Sequence, residues 1–426
     1  MVTVVGAGPA GATAARALAK AGVTVRLLDR SNFPRNKPCG GGISLRVLKR
    51  FPYLEQELSR IATHTVARLY LEGPGGASVV VEADGPAALM IRRMEFDALL
   101  VALAVEAGAE LVTGAEIVQA SAGSEGGAPV KPVKLVARDG RRFESPVVIA
   151  ADGVHSVVAR RLGINAGWPA SRIALDMMEE TPRAALRDVD PSTLWVGYGF
   201  DPVGVEHAQN RSNRRASEGY AYVFPKRDHV NVGIGYVLDH YRAAVDRRPY
   251  ELQQGFVKHL RDRGVVEGES VEENFTPFLI PVGGPLRRPG RGGVLLAGDA
   301  GGFVNGFTAE GIYYAMVSGD LAARSVIETR SGSEATLAKR YRRACDHEIG
   351  AELQDSVLIQ RYLFRSRRRI RRLVDGAHRE PAMTKLVLDF AMGRMSYSSL
   401  RRGMLASAPL LAARLLWERF FHVCHS

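Results

Sequence analysis

The chain has 426 residues, of which 46% are hydrophobic, and it carries a formal net charge of +12 at pH 7. This length and apolar content exclude a disordered chain and predict a globular protein with more than one lobe. Its three cysteines, Cys39, Cys345 and Cys424, lie far apart and match neither a metal-ligand spacing nor a secreted disulfide scaffold. We therefore expect no metal. Because the first strand begins at Val2 and no apolar run is long enough to span a bilayer, we also expect a cytoplasmic protein.

The first element in the chain has the form of a dinucleotide-binding turn. An apolar strand begins at Val2, a glycine-rich turn follows, and an Ala-rich helix comes next without a spacer. Such a turn uses its glycines to bring backbone N–H groups close to a pyrophosphate at the helix N-terminus. A second strand, 23–28, ends at Asp29, which is placed to accept hydrogen bonds from an adenosine ribose. The residues assigned to this part of the cofactor site are Gly6, Gly8, Pro9, Ala10, Gly11, Asp29 and Arg30.

Two later segments distinguish FAD from NAD. A strand over 293–297 ends in Gly-Asp-Ala, and a glycine-rich loop then leads to a predicted helix. This arrangement is similar to the ribityl-binding motif of FAD enzymes of the aromatic hydroxylase superfamily, and the apolar strand that ends near Asp152 resembles the DG motif of the same superfamily. The resemblance implies that Asp299 accepts hydrogen bonds from the ribityl hydroxyls and that the helix N-terminus faces the flavin N1/C2 edge. The residues assigned from these two segments are Asp152, Gly298, Asp299, Gly302, Gly311 and Ile312.

The segment 93–97 opens a predicted helix with the pattern Arg-x-x-Phe-Asp. This pattern is similar to a family element whose arginine contacts the FAD phosphate or ribityl region, and it assigns Arg93 to the cofactor site. A solvated arginine at a helix start is the alternative, because Arg92 stands beside it.

Two further segments narrow the family. The loop Lys37-Pro-Cys-Gly-Gly-Gly-Ile-Ser44 and the strand Tyr220-Ala-Tyr-Val-Phe-Pro-Lys226 resemble segments of the geranylgeranyl reductase family, whose members saturate isolated double bonds in prenyl chains. The resemblance implies that the loop reaches the flavin with Cys39, Gly40 and Gly41. It also implies that the strand lies over a substrate channel. The residues assigned to this channel are Tyr220, Tyr222, Phe224 and Pro225.

The chain departs from the family pattern at three positions. Tyr222 stands where tryptophan is common, Gly306 replaces a proline and Ala309 replaces a glycine. These departures bear on the substrate more than on the cofactor, because the glycines and Asp299 of the ribityl motif are present. The resemblance therefore implies an FAD-dependent reductase that saturates C=C bonds of an isoprenoid chain.

Reduction of an alkene by a reduced flavin requires a hydride from the flavin and a proton from an acid. Cys39 and Tyr220 are the candidate catalytic acids. Cys39 lies in a loop whose glycines allow close approach to a ring, and its alternative role is that of a small buried residue in a tight turn. The alternative role of Tyr220 is that of a channel wall or an orienting hydroxyl.

A second function stays open at this point, that of an FAD-dependent monooxygenase or hydroxylase of a hydrophobic substrate, because the same motifs serve enzymes whose reduced flavin reacts with oxygen. A halogenase is disfavoured, since Trp168, Trp195 and Trp417 are isolated and form no Trp-x-Trp-x-x-Pro element. The sequence contains no second GxGxxG cradle. The electron donor is therefore expected to be transiently bound NADPH or a reduced ferredoxin.

The order of the motifs predicts an α/β fold with a discontinuous, Rossmann-like FAD-binding lobe, an antiparallel β-sheet substrate lobe and a C-terminal helical region. The FAD-binding lobe is assigned to 1–65, 93–165 and 282–333, the substrate lobe to 66–92 and 166–281, and the helical region to 334–426. Strands of the substrate lobe are predicted over 67–72, 77–82, 194–198, 220–224 and 230–236. The Gly- and Ser-rich segment 120–128 is predicted to be a hairpin loop.

Much of the positive charge lies in the C-terminal region. Seven arginines crowd residues 361–372, and a basic and apolar stretch follows over 400–421. One interpretation is an interfacial anchor on anionic lipid at the inner face of the membrane, where each basic side chain adds about 1 kcal/mol. The alternative is that the apolar side chains pack on the enzyme while the arginines are solvated. No nucleic-acid partner is expected, because no base-reading module is present, and the sequence leaves the oligomeric state open.

Overall fold

The structure is a computed structural model that describes residues 1–121, 132–199, 219–245, 247–329 and 334–406. Within these ranges the strands are, in chain order, β1 (Val2–Val5), β2 (Val25–Leu28), β3 (Gly42–Ser44), β4 (Thr63–Val66), β5 (Arg68–Glu72), β6 (Ser78–Glu82), β7 (Ala88–Ile91), β8 (Glu110–Val112), β9 (Ile117–Ser121), β10 (Val133–Ala137), β11 (Arg142–Ser145), β12 (Val147–Ala150), β13 (Ala174–Pro182), β14 (Leu186–Asp188), β15 (Thr193–Tyr198), β16 (Gly219–Pro225), β17 (His229–Val237), β18 (Val266–Gly268), β19 (Phe275–Ile280), β20 (Gly290–Arg291) and β21 (Val294–Leu296). The α-helices of the same ranges are α1 (Pro9–Lys20), α2 (Arg46–Arg50), α3 (Leu54–Glu57), α4 (Arg93–Glu106), α5 (Val157–Arg161), α6 (Leu238–His240), α7 (Pro249–Asp262), α8 (Ile312–Glu328), α9 (Glu334–Cys345), α10 (Ala351–Phe364), α11 (Arg367–Arg379) and α12 (Pro381–Ala391).

A mostly parallel sheet forms the centre of the predicted cofactor lobe. Its order is β20-β21-β12-β1-β2-β8, and all neighbours are parallel except β20 and β21. The central strands are almost continuous runs of Val, Ile, Leu and Ala because both faces of the sheet are covered. Two glycines bring α1 close to its neighbours. A Cβ at Gly11 would lie 1.8 Å from the carbonyl oxygen of Gly6, and one at Gly319 of α8 would lie 2.1 Å from that of Ala10.

The second large sheet has the order β19-β13-β17-β16-β15-β5-β6 among the described residues. The five strands predicted for this lobe are present as β5, β6, β15, β16 and β17, while β13 and β19 were not predicted. The predicted antiparallel pairing holds except between β5 and β15, which are parallel. The exception has a topological reason, because the chain leaves β6 for the cofactor lobe before it returns to this sheet, and such a long crossover permits parallel pairing.

The two faces of this sheet have different neighbours. One face packs on α7 through apolar residues such as Val223, Leu252 and Phe256. The opposite face turns toward the loop that precedes β3, and its outer end is covered by α10 and α11. Ile370 and Val374 of α11 are each 1% exposed and pack on this end of the sheet. These two apolar side chains of α11 therefore pack on the protein itself, whereas Leu373 of the same helix is 40% exposed.

A small sheet, β3-β7-β4, joins residues from the ranges predicted for both lobes, and the exact lobe boundaries stay a prediction. Helices α9 to α12 and a further helical segment, 397–406, make up the described part of the C-terminal region. Together these features confirm the predicted α/β fold. The predicted hairpin loop lies mostly outside the described residues, as do most of the apolar stretch over 400–421 and Cys424. In the described ranges no helix is both long and apolar enough to cross a membrane.

Candidate active site

The turn between β1 and α1 has the shape that the glycine pattern predicts. Gly6 has a φ of +94°, and a Cβ there would lie 2.3 Å from the carbonyl oxygen of Ala151. Gly8 precedes α1, and no side chain caps the helix start. The first N–H groups of α1 are thus left for an anion that approaches past Gly8. Pro9, Ala10 and Gly11 form the first turn of this helix.

Asp29 follows β2 and helps to fix this turn. Its carboxylate accepts a hydrogen bond from the backbone N–H of Ala7 at 2.7 Å and another from that of Ser31 at 2.8 Å. Each carboxylate oxygen retains a further lone pair that can accept from a ribose hydroxyl. Asp29 is buried, while the neighbouring Arg30 is exposed. Asp29 therefore has a structural role beside the predicted cofactor role.

The ribityl motif lies where β21 ends. Gly298 and Gly302 have φ values of +60° and +74°, and a Cβ at Gly302 would lie 2.5 Å from the Trp168 ring. Helix α8 begins at Ile312 without a side-chain cap, and a Cβ at Gly311 would lie 3.8 Å from Oδ1 of Asp299. The Asp299 carboxylate is therefore close to the N-terminus of α8.

The acceptor capacity of Asp299 is unused within the described part of the chain, where no group donates a hydrogen bond to its carboxylate. Burial raises the pKa of Asp299, and the positive charges of Lys37 and Arg93 oppose this shift. Asp152 also has a carboxylate oxygen without a hydrogen-bond donor among the described residues. Its Oδ2 accepts from the N–H of Val158 at 3.2 Å, whereas Oδ1 is buried without a partner. These carboxylates, the glycine cradle and the uncapped helix starts fit the hydroxyls and phosphates of FAD.

The Arg93 side chain is only 11% exposed, so it is not the solvated arginine of the alternative interpretation. Its Nε and one Nη donate to the Asp97 carboxylate at 2.7 and 2.8 Å, and the Arg35 guanidinium lies 3.1 Å from the same carboxylate. Burial lowers the pKa of Arg93, but Asp97 and Cys39 outweigh that effect, and the net shift is upward. Arg93 is thus a fixed positive charge near Cys39.

The loop that carries Cys39 lies against the second sheet. A Cβ at Gly40 would lie 2.8 Å from the Phe224 ring, and one at Gly41, whose φ is +74°, would lie 2.1 Å from the carbonyl oxygen of Ile91. Asn231 of β17 donates to the carbonyl oxygen of Cys39 at 2.9 Å. The two glycines are therefore needed for the loop to reach this face of the sheet.

Aromatic side chains cover the same face along β16. Tyr222 and Phe224 have ring centroids 4.5 Å apart, and the Tyr198 and Phe307 rings stack at 5.6 Å. The hydroxyl of Tyr220 donates to the carbonyl oxygen of Thr308 at 2.7 Å. Strand alternation places Tyr220, Tyr222 and Phe224 on the face that the Cys39 loop contacts, and it places Pro225 on the opposite face of β16.

Asp176 on β13 is a polar residue of this face that the sequence analysis missed. The hydroxyl of Tyr222 lies 3.3 Å from Oδ1 and 3.2 Å from Oδ2 of Asp176. Burial raises the pKa of Asp176 to about 7, while Tyr222 and Lys37 act in the opposite direction. No clean alternation marked this residue, since Asp176 is followed by two methionines and then by Glu179 and Glu180.

A buried ion pair lies at the other end of this face. Lys226 pairs with Glu180, which also accepts from Nε of Arg92 at 2.8 Å. Burial alone would raise the pKa of Glu180, but the two cations outweigh it and lower the pKa. A Cβ at Gly41 would lie 2.9 Å from Nζ of Lys226, so this pair stands directly behind the Cys39 loop.

The fold and the site define the class of protein first: it is an FAD-binding oxidoreductase. Residues 1–229 match the family described as FAD binding domain. A geranylgeranyl bacteriochlorophyll reductase-like protein from Thermoplasma acidophilum has a similar structure, with a TM-score of 0.68 and 22% identity over 88% of this chain and 90% of that one. At this identity the likeness shows the fold alone.

Relatives of higher identity narrow the class. Digeranylgeranylglycerophospholipid reductase 2 of Methanothermobacter thermautotrophicus is 30% identical over 376 residues, which cover 85% of this chain and 87% of the relative. A menaquinone reductase of Mycobacterium tuberculosis is 31% identical over 353 residues, or 80% of each chain. The chain belongs to the geranylgeranyl reductase family of FAD-dependent oxidoreductases.

Proposed function

We propose that the protein reduces C=C bonds in the isoprenoid chain of a lipid or quinone, with FAD as its cofactor. The observation that carries this proposal is the aromatic face of β16, which lies against the Cys39 loop and on the cofactor side of its sheet. Bound FAD in its reduced form would supply the hydride. The names of the relatives support an isoprenoid substrate, and they include both a glycerophospholipid and a menaquinone.

The cofactor would be held by groups at both ends of the cradle. The N–H groups at the start of α1 bind the pyrophosphate, and Asp29 accepts from the adenosine ribose. Asp299 accepts from the ribityl hydroxyls, and the positive end of α8 stabilises negative charge on the flavin pyrimidine edge. Arg93 supplies a fixed cation beside them. These assignments rest on the positions of the groups and on their unused hydrogen-bonding capacity.

The isoprenoid chain would lie along the aromatic row. Tyr198, Phe307 and Phe364 form its outer part, with Tyr198 and Phe364 at a centroid distance of 6.3 Å. Such rings exclude water and bind an apolar chain without directional hydrogen bonds. Exclusion of water also limits the groups that can provide the proton for the second alkene carbon.

Cys39 stays the proposed proton donor. Tyr220 is the second candidate, but its hydroxyl proton is directed at the Thr308 carbonyl oxygen, which supports a role as a channel wall. In the proposed step the Cys39 S–H bond breaks as a C–H bond forms on the alkene. The thiolate then has to recover a proton before the next reduction.

Either NADPH or a reduced ferredoxin is proposed as the electron donor. A basic surface suits both, because the first carries phosphates and the second is expected to be acidic. Comparison of flavin reduction by NADPH and by a reduced ferredoxin under anaerobic conditions separates the two.

The C-terminal region is proposed to contact an anionic membrane surface. On α10 the side chains of Leu358, Ile359 and Tyr362 are 63%, 41% and 59% exposed. Arg361 of the same helix and Arg365, directly after its last residue, are also exposed. Apolar side chains next to arginines are typical of a helix that lies in the interface of an anionic membrane.

The decisive experiment is anaerobic photoreduction of the purified flavoprotein, followed by mixing with a prenyl substrate or with oxygen. We expect flavin reoxidation by the prenyl compound, and mass spectrometry should find two added hydrogen atoms for each reduced bond. Geranylgeranyl diphosphate, a geranylgeranylated phospholipid and a menaquinone serve as the test substrates. Reoxidation by oxygen with hydroxylated product, and none by the alkenes, would favour the monooxygenase alternative.

A further inference from the structure

Asp176 and Tyr222 form a buried polar pair on the face that carries the aromatic side chains of β16. Asp176 is 6% exposed, and Tyr222 is 3% exposed. Tyr222 reaches Asp176 by crossing Gly233 of β17, where a Cβ would lie 2.3 Å from Cζ of the tyrosine ring. Gly235 lies between Asp176 and Tyr220 in the strand register. Two glycines on the same face of β17, Gly233 and Gly235, thus provide the space in which the pair meets.

The pair extends toward the Cys39 loop. A Cβ at Gly40 would lie 3.4 Å from Cε2 of Tyr222, so the tyrosine packs against the residue that follows Cys39. The charge of Cys39 also contributes to the upward shift in the pKa of Tyr222, after burial and Asp176. Tyr222 therefore spans the distance between a buried carboxyl group and the surroundings of the thiol.

We infer that Asp176 is the proton store of this site and that Tyr222 carries its proton to Cys39. This inference rests on the proposed function, in which Cys39 gives its proton to the alkene carbon. After that step the Tyr222 O–H bond breaks as the Cys39 S–H bond re-forms, and the O–H bond of protonated Asp176 breaks as the Tyr222 O–H bond re-forms. Solvent then returns a proton to the Asp176 carboxylate. The relay transfers protons only, because the two electrons come from the reduced cofactor.

The surroundings of Asp176 allow it to hold a proton near neutral pH. Burial raises the pKa of Asp176 to about 7, and the groups that face it are Tyr222 and Tyr220 from β16 and Lys37 from the Cys39 loop. Lys37 opposes the shift, and burial in turn lowers the pKa of Lys37. A carboxyl group with this pKa is mostly protonated below pH 7 and mostly deprotonated above it.

Glu179 provides a matched control on the same strand. It is also buried, and burial raises its pKa to about 7. Its side chain lies on the other face of β13, where it accepts from the Ser270 hydroxyl at 2.7 Å and from the Val271 N–H at 3.0 Å. Glu179→Gln therefore removes a similar carboxylate at a similar depth without touching the cofactor side.

The first test measures steady-state alkene reduction by the FAD-loaded enzyme between pH 5.5 and 9. We expect the wild-type rate to fall above about pH 7, by up to tenfold per pH unit. Asp176→Asn and Tyr222→Phe should both lower the rate at pH 6 by at least about tenfold, within the range for acid–base groups, and should remove the fall near pH 7. Glu179→Gln should keep the wild-type profile.

The second test needs no turnover. Alkylation of Cys39 by iodoacetamide is followed site by site with mass spectrometry, which separates it from Cys345 and Cys424. At pH 8 the ionised Asp176 disfavours the Cys39 thiolate, so Asp176→Asn should accelerate alkylation by up to about tenfold, the effect of one pKa unit, and Glu179→Gln should not. An unchanged rate in Asp176→Asn, or an equal change in Glu179→Gln, would overturn the relay. If the wild-type enzyme reduces no prenyl substrate while the alkylation result holds, the proposed function fails and the link between Asp176 and Cys39 stands.

Discussion

The glycine turn between β1 and α1 and the aromatic face of the second large sheet are held in place by different forces. At the turn, backbone approaches backbone so closely that Gly6 and Gly11 leave no space for a Cβ. The aromatic face of the second sheet also holds buried polar side chains, and Asp176 and Lys226 are the clearest examples. The first region should therefore be sensitive to added volume, and the second should be sensitive to charge and pH.

The largest expected effect comes from adding a side chain at the glycine turn between β1 and α1. Gly11→Ala places a methyl group 1.8 Å from the Gly6 carbonyl oxygen, which α1 can avoid only by leaving β1. We expect this variant to lose both its folded structure and its flavin. At Gly8 the nearest atom to a new Cβ is an Arg35 nitrogen at 3.7 Å, so Gly8→Ala should fold normally but bind FAD less tightly. Circular dichroism and flavin fluorescence measure the two properties separately, and a stable, flavin-loaded Gly11→Ala would contradict the packing described for α1.

The next largest effect is expected on the rate of alkene reduction when the Cys39 thiol is removed. If Cys39 is the acid, Cys39→Ala should slow alkene reduction by roughly 10²–10⁴-fold, the usual contribution of a positioned acid. Flavin content and Tm should change little, because the neighbouring glycines and not the thiol fit the loop to the sheet. Cys39→Ser is the matched variant, since a hydroxyl retains a donor of similar size. Wild-type rates in both variants would exclude Cys39 as the acid.

How well each region can be predicted from sequence follows from the same comparison. The cofactor turn lies within one short stretch, and its glycines have local steric reasons, so the motif predicts Gly6, Gly8 and Gly11 directly. The sheet face is assembled from β13, β16, β17 and the Cys39 loop, which are far apart in the chain. Nothing near Asp176 in sequence indicates that Tyr222 will lie against it. The parallel pairing of β5 with β15 was missed for the same reason, because it depends on a long crossover.

Asp29 and Asp299 allow a comparison of two carboxylates within the cofactor region. Asp299→Ala should weaken FAD binding by about 1–3 kcal/mol, the cost of leaving a buried hydroxyl without a partner. Its effect on the unfolding of the apoprotein should be small, because no described residue donates to this carboxylate. Asp29→Ala should lower the apoprotein Tm, because Asp29 accepts from the Ala7 and Ser31 N–H groups. Calorimetry of the apoprotein measures Tm, and titration with flavin measures affinity. Equal losses of flavin affinity and of Tm in both variants would contradict this difference between Asp299 and Asp29.

The pH dependence of stability tests the sheet face without catalysis. Because the folded-state pKa of Asp176 is raised to about 7, the folded protein holds this proton more tightly than the unfolded chain does. This tighter proton binding stabilises the folded protein. The stabilisation is fully present below the unfolded-state pKa of about 3.9 and is lost as the pH rises through 7. Asp176→Asn, which carries no charge at any pH, should therefore raise Tm more at pH 8 than at pH 5. Glu179→Gln should show the same trend, and a Tm difference that does not depend on pH would contradict the burial of these charges.

The smallest effect is expected on the exposed face of α10. If this helix lies on lipid, the full chain should sediment with phosphatidylglycerol vesicles at low salt and be released as ionic strength rises, because screening acts over about 10 Å at 0.1 M. Replacement of Leu358 and Tyr362 by serine removes exposed apolar area while it leaves the arginines in place. It should weaken binding several-fold and leave flavin content unchanged, since neither side chain contributes to the cofactor cradle. Arg361→Gln with Arg365→Gln should instead reduce mainly the salt-sensitive part of the binding. Sedimentation with neutral phosphatidylcholine vesicles is the control. A protein that ignores both kinds of vesicle at low salt would show that the arginines of α10 and α11 serve only as solvated charge.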